Sequence, residues 1–109
     1  LNPTYSKMIH VIATITAQPG KRDALLAEFR PLVPLVRAEA GCVRYEPAID
    51  ATTDLQVQTT PRPDVVMVVE AWESLDHLKA HLASPHMAAF FEKTADRVAD
   101  LSVLILTPA

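Results

Sequence analysis

The chain has 109 residues, half of them apolar and 21% charged, with a formal net charge of −3. That length supports one domain around one core, and an acidic balance without a basic stripe argues against a nucleic-acid-binding surface. No apolar run reaches the roughly 18 residues of a membrane span, and a single cysteine, Cys42, excludes an internal disulfide and suits a reducing, cytoplasmic setting.

Leu1 to Lys7 reads as a polar lead-in that lacks the basic and apolar regions of a signal peptide. Residues 8–109 form the domain, and Met8 is a candidate natural start. Met8 to Ala17 is β-branched and short, so it reads as the first strand. Its odd positions, Ile9, Val11, Ala13 and Ile15, are all apolar and should face helices. The even positions, His10, Ile12, Thr14 and Thr16, are mixed and suit a face that is partly wet or meets a partner.

Pro19-Gly20 turns the chain. From Ala24 to Ala40, apolar residues recur at helical spacing: Leu25, Phe29, Leu32, Val33 and Val36. Pro31 and Pro34 fall inside this run, which predicts a kink, or a break near Arg30. Gly41 is the expected helix stop. Cys42 to Ala48 alternates and reads as the second strand. Asp50 to Pro63 is a polar loop, with Leu55 to Gln58 a candidate strand extension; its length suggests a lid or an interface arm.

Val65 to Trp72 is the driest segment and reads as a strand buried on both faces. Ser74 caps the next helix, whose inner stripe is expected to be Leu75, Leu78 and Leu82. Ser84-Pro85 opens another, with Met87, Phe90, Phe91, Thr94 and Val98 facing inward. Leu101 to Thr107 is the last strand. The order β-α-β-β-α-α-β is an α+β, ferredoxin-like pattern with an antiparallel sheet and a divided second helix. Helices on one side leave the other sheet face open. That face carries Val43 and Tyr45, or Cys42 and Arg44, according to register, and a twofold homodimer would cover it.

Three patterns carry a family resemblance. The first is Ala17-Gln18-Pro19-Gly20-Lys21. The second runs from Arg37 through Gly41-Cys42-Val43-Arg44-Tyr45 to Glu46. The third is Glu70-Ala71-Trp72-Glu73-Ser74 followed by Ala80-His81-Leu82-Ala83-Ser84-Pro85-His86. In this order they resemble the antibiotic-biosynthesis monooxygenases, and the small quinol-monooxygenase-like members above all. The resemblance implies a dimeric α+β barrel. It also implies oxidation of a quinol or polycyclic phenol by O₂ with no flavin, haem or metal, the substrate supplying the electrons. The haem-degrading branch shares the tryptophan but has an asparagine where this chain has Ala13, so haem degradation is not expected.

The candidate catalytic residues are His81, His86 and Trp72. An imidazole titrates near neutrality, as proton transfer requires, and the resemblance puts a histidine at position 81. Its competing reading is a helix histidine that packs its ring. His86 sits at a helix start, which favours a neutral ring. Trp72 offers a flat wall for stacking, or else a core side chain. Tyr45, Ala13, Phe90 and Met87 are the candidate substrate contacts, with core or interface packing as the alternative for Tyr45, Phe90 and Met87. Glu70 is expected to pair with Arg44 or Arg37, and Cys42 to be a small buried strand residue. His77 and His81 are spaced i, i+4 as metal ligands would be, but no third ligand follows and no metal is assigned. The same histidines would equally serve a non-oxidative isomerase of a small carbonyl compound, and a ligand-binding dimer without chemistry is the third alternative.

Overall fold

The computed structural model describes residues 7–109, so the lead-in lies outside it except for Lys7. The elements are β1 (Ile9–Ala17), α1 (Arg22–Arg37), β2 (Cys42–Ala48), β3 (Val65–Trp72), α2 (Leu75–Leu82), α3 (Pro85–Thr94), a 3-10 turn (Ala95–Arg97) and β4 (Val98–Leu106). The strands form one antiparallel sheet in the order β2-β3-β1-β4, the ferredoxin-like arrangement expected from the element order.

Alternation in β1 sets the layers. Val11, Ala13, Ile15 and Ala17 are buried, and the first three stand opposite Glu70, Val68 and Val66 of β3. Leu25, Phe29, Leu32 and Val36 of α1 close over this face at helical spacing. The opposite face lines up Val69, Ile12 and Leu104 across three strands, and among the described residues no helix covers it. Edge strand β4 is open even on the helix side. Val103 and Ile105 pair with Ala13 and Val11, yet remain 47% and 53% exposed, because the helix layer stops short of them.

Several expectations are corrected. α1 runs through Pro31 and Pro34 without the expected alternative of a break near Arg30. Both prolines are exposed, and the carbonyls they leave without a donor, at Ala27 and Arg30, belong to exposed residues that water can serve. The helix also ends at Arg37, and Ala38 to Gly41 form a turn into β2. Leu55 to Gln58 makes a turn, with the Gln58 amide donating to the Leu55 carbonyl at 3.1 Å, and not a strand. The loop is clasped at its base. The Arg62 guanidinium and backbone amide both donate to the Asp50 carboxylate at 2.8–2.9 Å and hold that carboxyl well below the usual range. It leaves β2 and enters β3 at the sheet end opposite Trp72.

The inner stripe of α2 is Leu78 with His81, while Leu75 and Leu82 are largely exposed. Phe91 is likewise largely exposed, and Val98 already belongs to β4. Tyr45 points to the helix side and is buried, whereas Arg44 faces outward and pairs with Glu46 at 2.9 Å.

Two glycines have positive φ, but for different reasons. Gly20 (φ +76°) has open space where a Cβ would stand. At Gly41 (φ +78°), a Cβ would fall 2.2 Å from Cγ of His77. Gly20→Ala should therefore cost only the backbone term of about 1 kcal/mol, and Gly41→Ala roughly 2 kcal/mol or more. Urea unfolding of both variants checks this; equal losses would remove the close-approach argument.

Candidate active site

The site forms where β3 hands over to two short helices. Ser74 caps α2 by accepting from the His77 amide, and Ser84 caps α3 by accepting from the Met87 amide. In the last turn of α2 the inward position is His81, which is 1% exposed; inside the first turn of α3 is His86. Between them lies a residue from a distant part of the chain. Glu39 sits in the turn after α1, and its Oε2 is 2.8 Å from Nδ1 of His81 and 2.9 Å from Nε2 of His86.

A carboxylate only accepts, so each facing ring nitrogen carries its proton. For His81 this places hydrogen on Nδ1 and leaves Nε2 as the basic atom; no described residue bonds to Nε2. The Trp72 ring lies against His81 with centroids 4.6 Å apart and planes at 31°, and Tyr45 meets it edge-on at 5.6 Å. His81 is therefore held on three sides. Trp72 in turn donates from Nε1 to Oε1 of Glu70 at 3.0 Å.

A cavity of about 80 Å³ lies between the sheet and α2/α3. His81 and Glu70 are the polar groups on its wall; Val11, Ala13, Met87 and Val103 are among the apolar ones. Two predicted contacts, Ala13 and Met87, thus share a wall with His81. The other four predicted residues do not reach it. Trp72 is fully buried behind His81, Tyr45 is buried beside it, and Phe90 packs on Phe29 at 4.6 Å and opens on a neighbouring groove. His86 faces an outer groove between α1 and α3, its side chain 25% exposed. A line of three groups thus runs from the cavity to the surface: His81, Glu39, His86.

Electrostatics follow burial. Desolvation pushes the Tyr45 phenol far up, with Glu70 adding to the effect, so it is a neutral hydroxyl. Burial also raises the Cys42 thiol, with Glu39 and Glu70 adding, which does not favour a thiolate nucleophile. Glu70 is raised by burial first, against opposing pulls from the Trp72 hydrogen bond and His81. The expected Glu70–arginine pair does not form: Arg44 is on the other face, and Arg37 donates to the Tyr45 carbonyl. The spacing-based pair of His77 and His81 does not form either. His77 Nδ1 lies 2.7 Å from Ser74 Oγ, and its ring packs on Gly41. The trio whose ligand atoms converge, within 4.8 Å of one another, is Glu39, His81 and His86. A divalent cation would have to displace the two protons these atoms now share. Sequence reasoning missed Glu39 and gave Glu70 a surface partner. The i, i+2 spacing of Glu70 and Trp72 was the one available signal, since it puts both on one strand face.

The sequence pattern of the antibiotic biosynthesis monooxygenases matches residues 8–93. The chain belongs to this family. It is 40% identical over 103 residues to "Probable quinol monooxygenase YgiN" of Escherichia coli K12, covering 93% of this chain and 98% of that one. Among solved structures, PA3566 of Pseudomonas aeruginosa superposes with a TM-score of 0.79 at 28% identity, over 96% of this chain and 97% of that one. A conserved protein of Methanosarcina mazei, at 19% identity, shares the fold with a TM-score of 0.82 over 97% of both chains. The family match takes in β1, the Glu39 turn, the Glu70-Trp72 strand, His81 and His86.

The raised Glu70 carboxyl makes a sign-definite prediction. The folded state holds this proton more tightly than the unfolded chain, so the stability Glu70 contributes is greatest below the ordinary value of 4.5 and is lost as pH rises through the raised one. Glu70→Gln should flatten that part of the stability–pH curve, measured by urea unfolding at stepped pH. An unchanged slope would remove Glu70 as its source.

Proposed function

We propose that this protein is a cofactor-independent monooxygenase that oxidises a quinol or related polycyclic phenol with O₂. The observation that carries the reading is His81: Nδ1 is tied to Glu39, and the ring lines an apolar cavity. Such a ring is oriented and electrostatically supported to take a proton. The 40% identity to a protein named as a probable quinol monooxygenase supports the substrate class.

The chemistry needs little from the protein beyond this. His81 Nε2 takes the hydroxyl proton, and Glu39 stabilises the imidazolium. The phenolate passes an electron to O₂, and the radical pair combines to form a C–O bond. The peroxide O–O bond then breaks. His81 returns its proton to the peroxide, and the C–H bond at the oxygenated carbon breaks as the O–O bond does: its electron pair makes the new C=O, and its proton joins the departing hydroxide as water. Overall, quinol plus O₂ gives hydroxyquinone plus water, the substrate supplying all four electrons. The apolar wall keeps bulk water from the anion. Two proton-active groups in one cavity, His81 and Glu70, favour a second reading, a proton-shuttling isomerase that uses no O₂.

The functional unit in this reading is a homodimer, supported by the open apolar stripe of Val69, Ile12 and Leu104 and by the uncovered helix side of β4. The single cysteine supports a cytoplasmic setting. Among the described residues no helix is long and apolar enough to cross a membrane.

O₂ uptake with reduced naphthoquinols, corrected for autoxidation, tests the reaction. Turnover should vanish anaerobically and fall about a hundredfold or more in His81→Ala. Light scattering on the same sample should give twice the 11.9 kDa chain mass. Product formation without O₂ would replace this reading by the isomerase; full turnover in His81→Ala would remove His81 from the mechanism.

A further inference from the structure

Glu70 stands apart from the other acidic side chains. It is 7% exposed, on a strand, among apolar neighbours and without a cation. Burying a carboxyl there costs free energy that a leucine would not incur. One oxygen, Oε1, takes the Trp72 Nε1 proton at 3.0 Å. The other, Oε2, has no partner among the described residues. Yet the side chain is part of the wall of the cavity that His81 lines. A carboxylate oxygen without a protein partner, on a side chain that walls a cavity, is open to one from outside the chain. The remaining walls, such as Val11, Ala13, Leu78 and Met87, offer no side-chain donor or acceptor of comparable strength.

We propose that Glu70 is the second polar contact for the ligand: its Trp72-anchored carboxyl binds one ligand oxygen while His81 Nε2 takes the proton of another. The inference rests on the quinol reading and deepens it. It makes the preferred ligand a planar aromatic with two oxygen substituents, because one hydroxyl would leave either His81 or Glu70 without a partner. Trp72 then acts as a positioning residue, fixing the carboxyl from behind without touching the ligand. The titratable groups facing Glu70 are Tyr45 and Cys42 on β2, Glu39 in the turn after α1 and His81 on α2. The ionised carboxyl accepts the ligand hydroxyl, and the neutral acid can accept or donate, so the contact survives titration with altered strength.

Binding under anaerobic conditions tests this without turnover, so a failed oxygenase reading leaves the result intact. The probes are 1,4-dihydroxynaphthalene and 1-naphthol, followed by calorimetry and by the fluorescence of Trp72, the single tryptophan. The wild type should bind the diol about tenfold more tightly, the scale of one good hydrogen bond. Glu70→Leu should bind both probes alike, and Glu70→Gln, which keeps an acceptor, should retain most of the gap. Across pH, the ratio of the two affinities should vary in the wild type and stay constant in Glu70→Gln; the ratio cancels the titration of His81, which both probes contact. That second measurement stands if Glu70→Leu fails to fold. Equal affinities in the wild type, a gap that persists in Glu70→Leu, or the same pH dependence in Glu70→Gln would overturn the proposal.

Discussion

One carboxylate oxygen organises this end of the molecule. Oε2 of Glu39 accepts from His81 and His86, which lie 42 and 47 residues further along the chain, and so fastens the turn after α1 to the last turn of α2 and the first turn of α3. Hydrogen bonds to a charged group each contribute about 1.5–3 kcal/mol net, and burial of the carboxylate works against them. The arrangement therefore adds little that an apolar contact could not supply as stability. What it adds is direction: it fixes which nitrogen of His81 carries hydrogen and which way the ring turns. Ring packing from Trp72 and Tyr45 completes the constraint.

The cavity follows from strand alternation. Helix-side positions of β1, β3 and β4 present Val11, Ala13, Val103 and Ile105 to it, and the same alternation puts Glu70 among them. The result is an apolar space with two proton-active groups on its wall, one tied to Glu39 and one to Trp72. On the β4 side it has no helical cover, and the residues there are half-exposed hydrophobics. The interior is thus specific where chemistry is proposed and unfinished where a second chain would lie.

The strands, the two serine caps and the helical spacing of α1 were legible because each depends on neighbours a few residues apart. The two prolines misled because their cost depends on which side of α1 faces water, and both fall on that side. The stripe of α2 was misassigned to Leu82 because apolar periodicity cannot reveal that a histidine takes the inward place when a carboxylate awaits it. Glu39 was illegible for the same reason: its partners are remote in sequence, and an acidic residue before a helix-stopping glycine looks like any solvated turn. The resemblance to a family supplied His81, His86 and Trp72 as candidates. Only the three-dimensional arrangement separates the ring that lines the cavity from the one that leads outward and the one packed behind. An arginine partner for Glu70 is the ordinary expectation for a strand glutamate, yet the pleat sends Arg44 to the other face of the sheet, where it pairs with Glu46.

The most direct test of this account is the tautomer of His81, read by two-bond proton–nitrogen correlation on protein labelled with ¹⁵N-histidine. The account predicts a neutral ring with hydrogen on Nδ1 and an unprotonated Nε2, with that preference lost in Glu39→Ala. Hydrogen on Nε2 in the native protein, or a tautomer indifferent to Glu39, would contradict it.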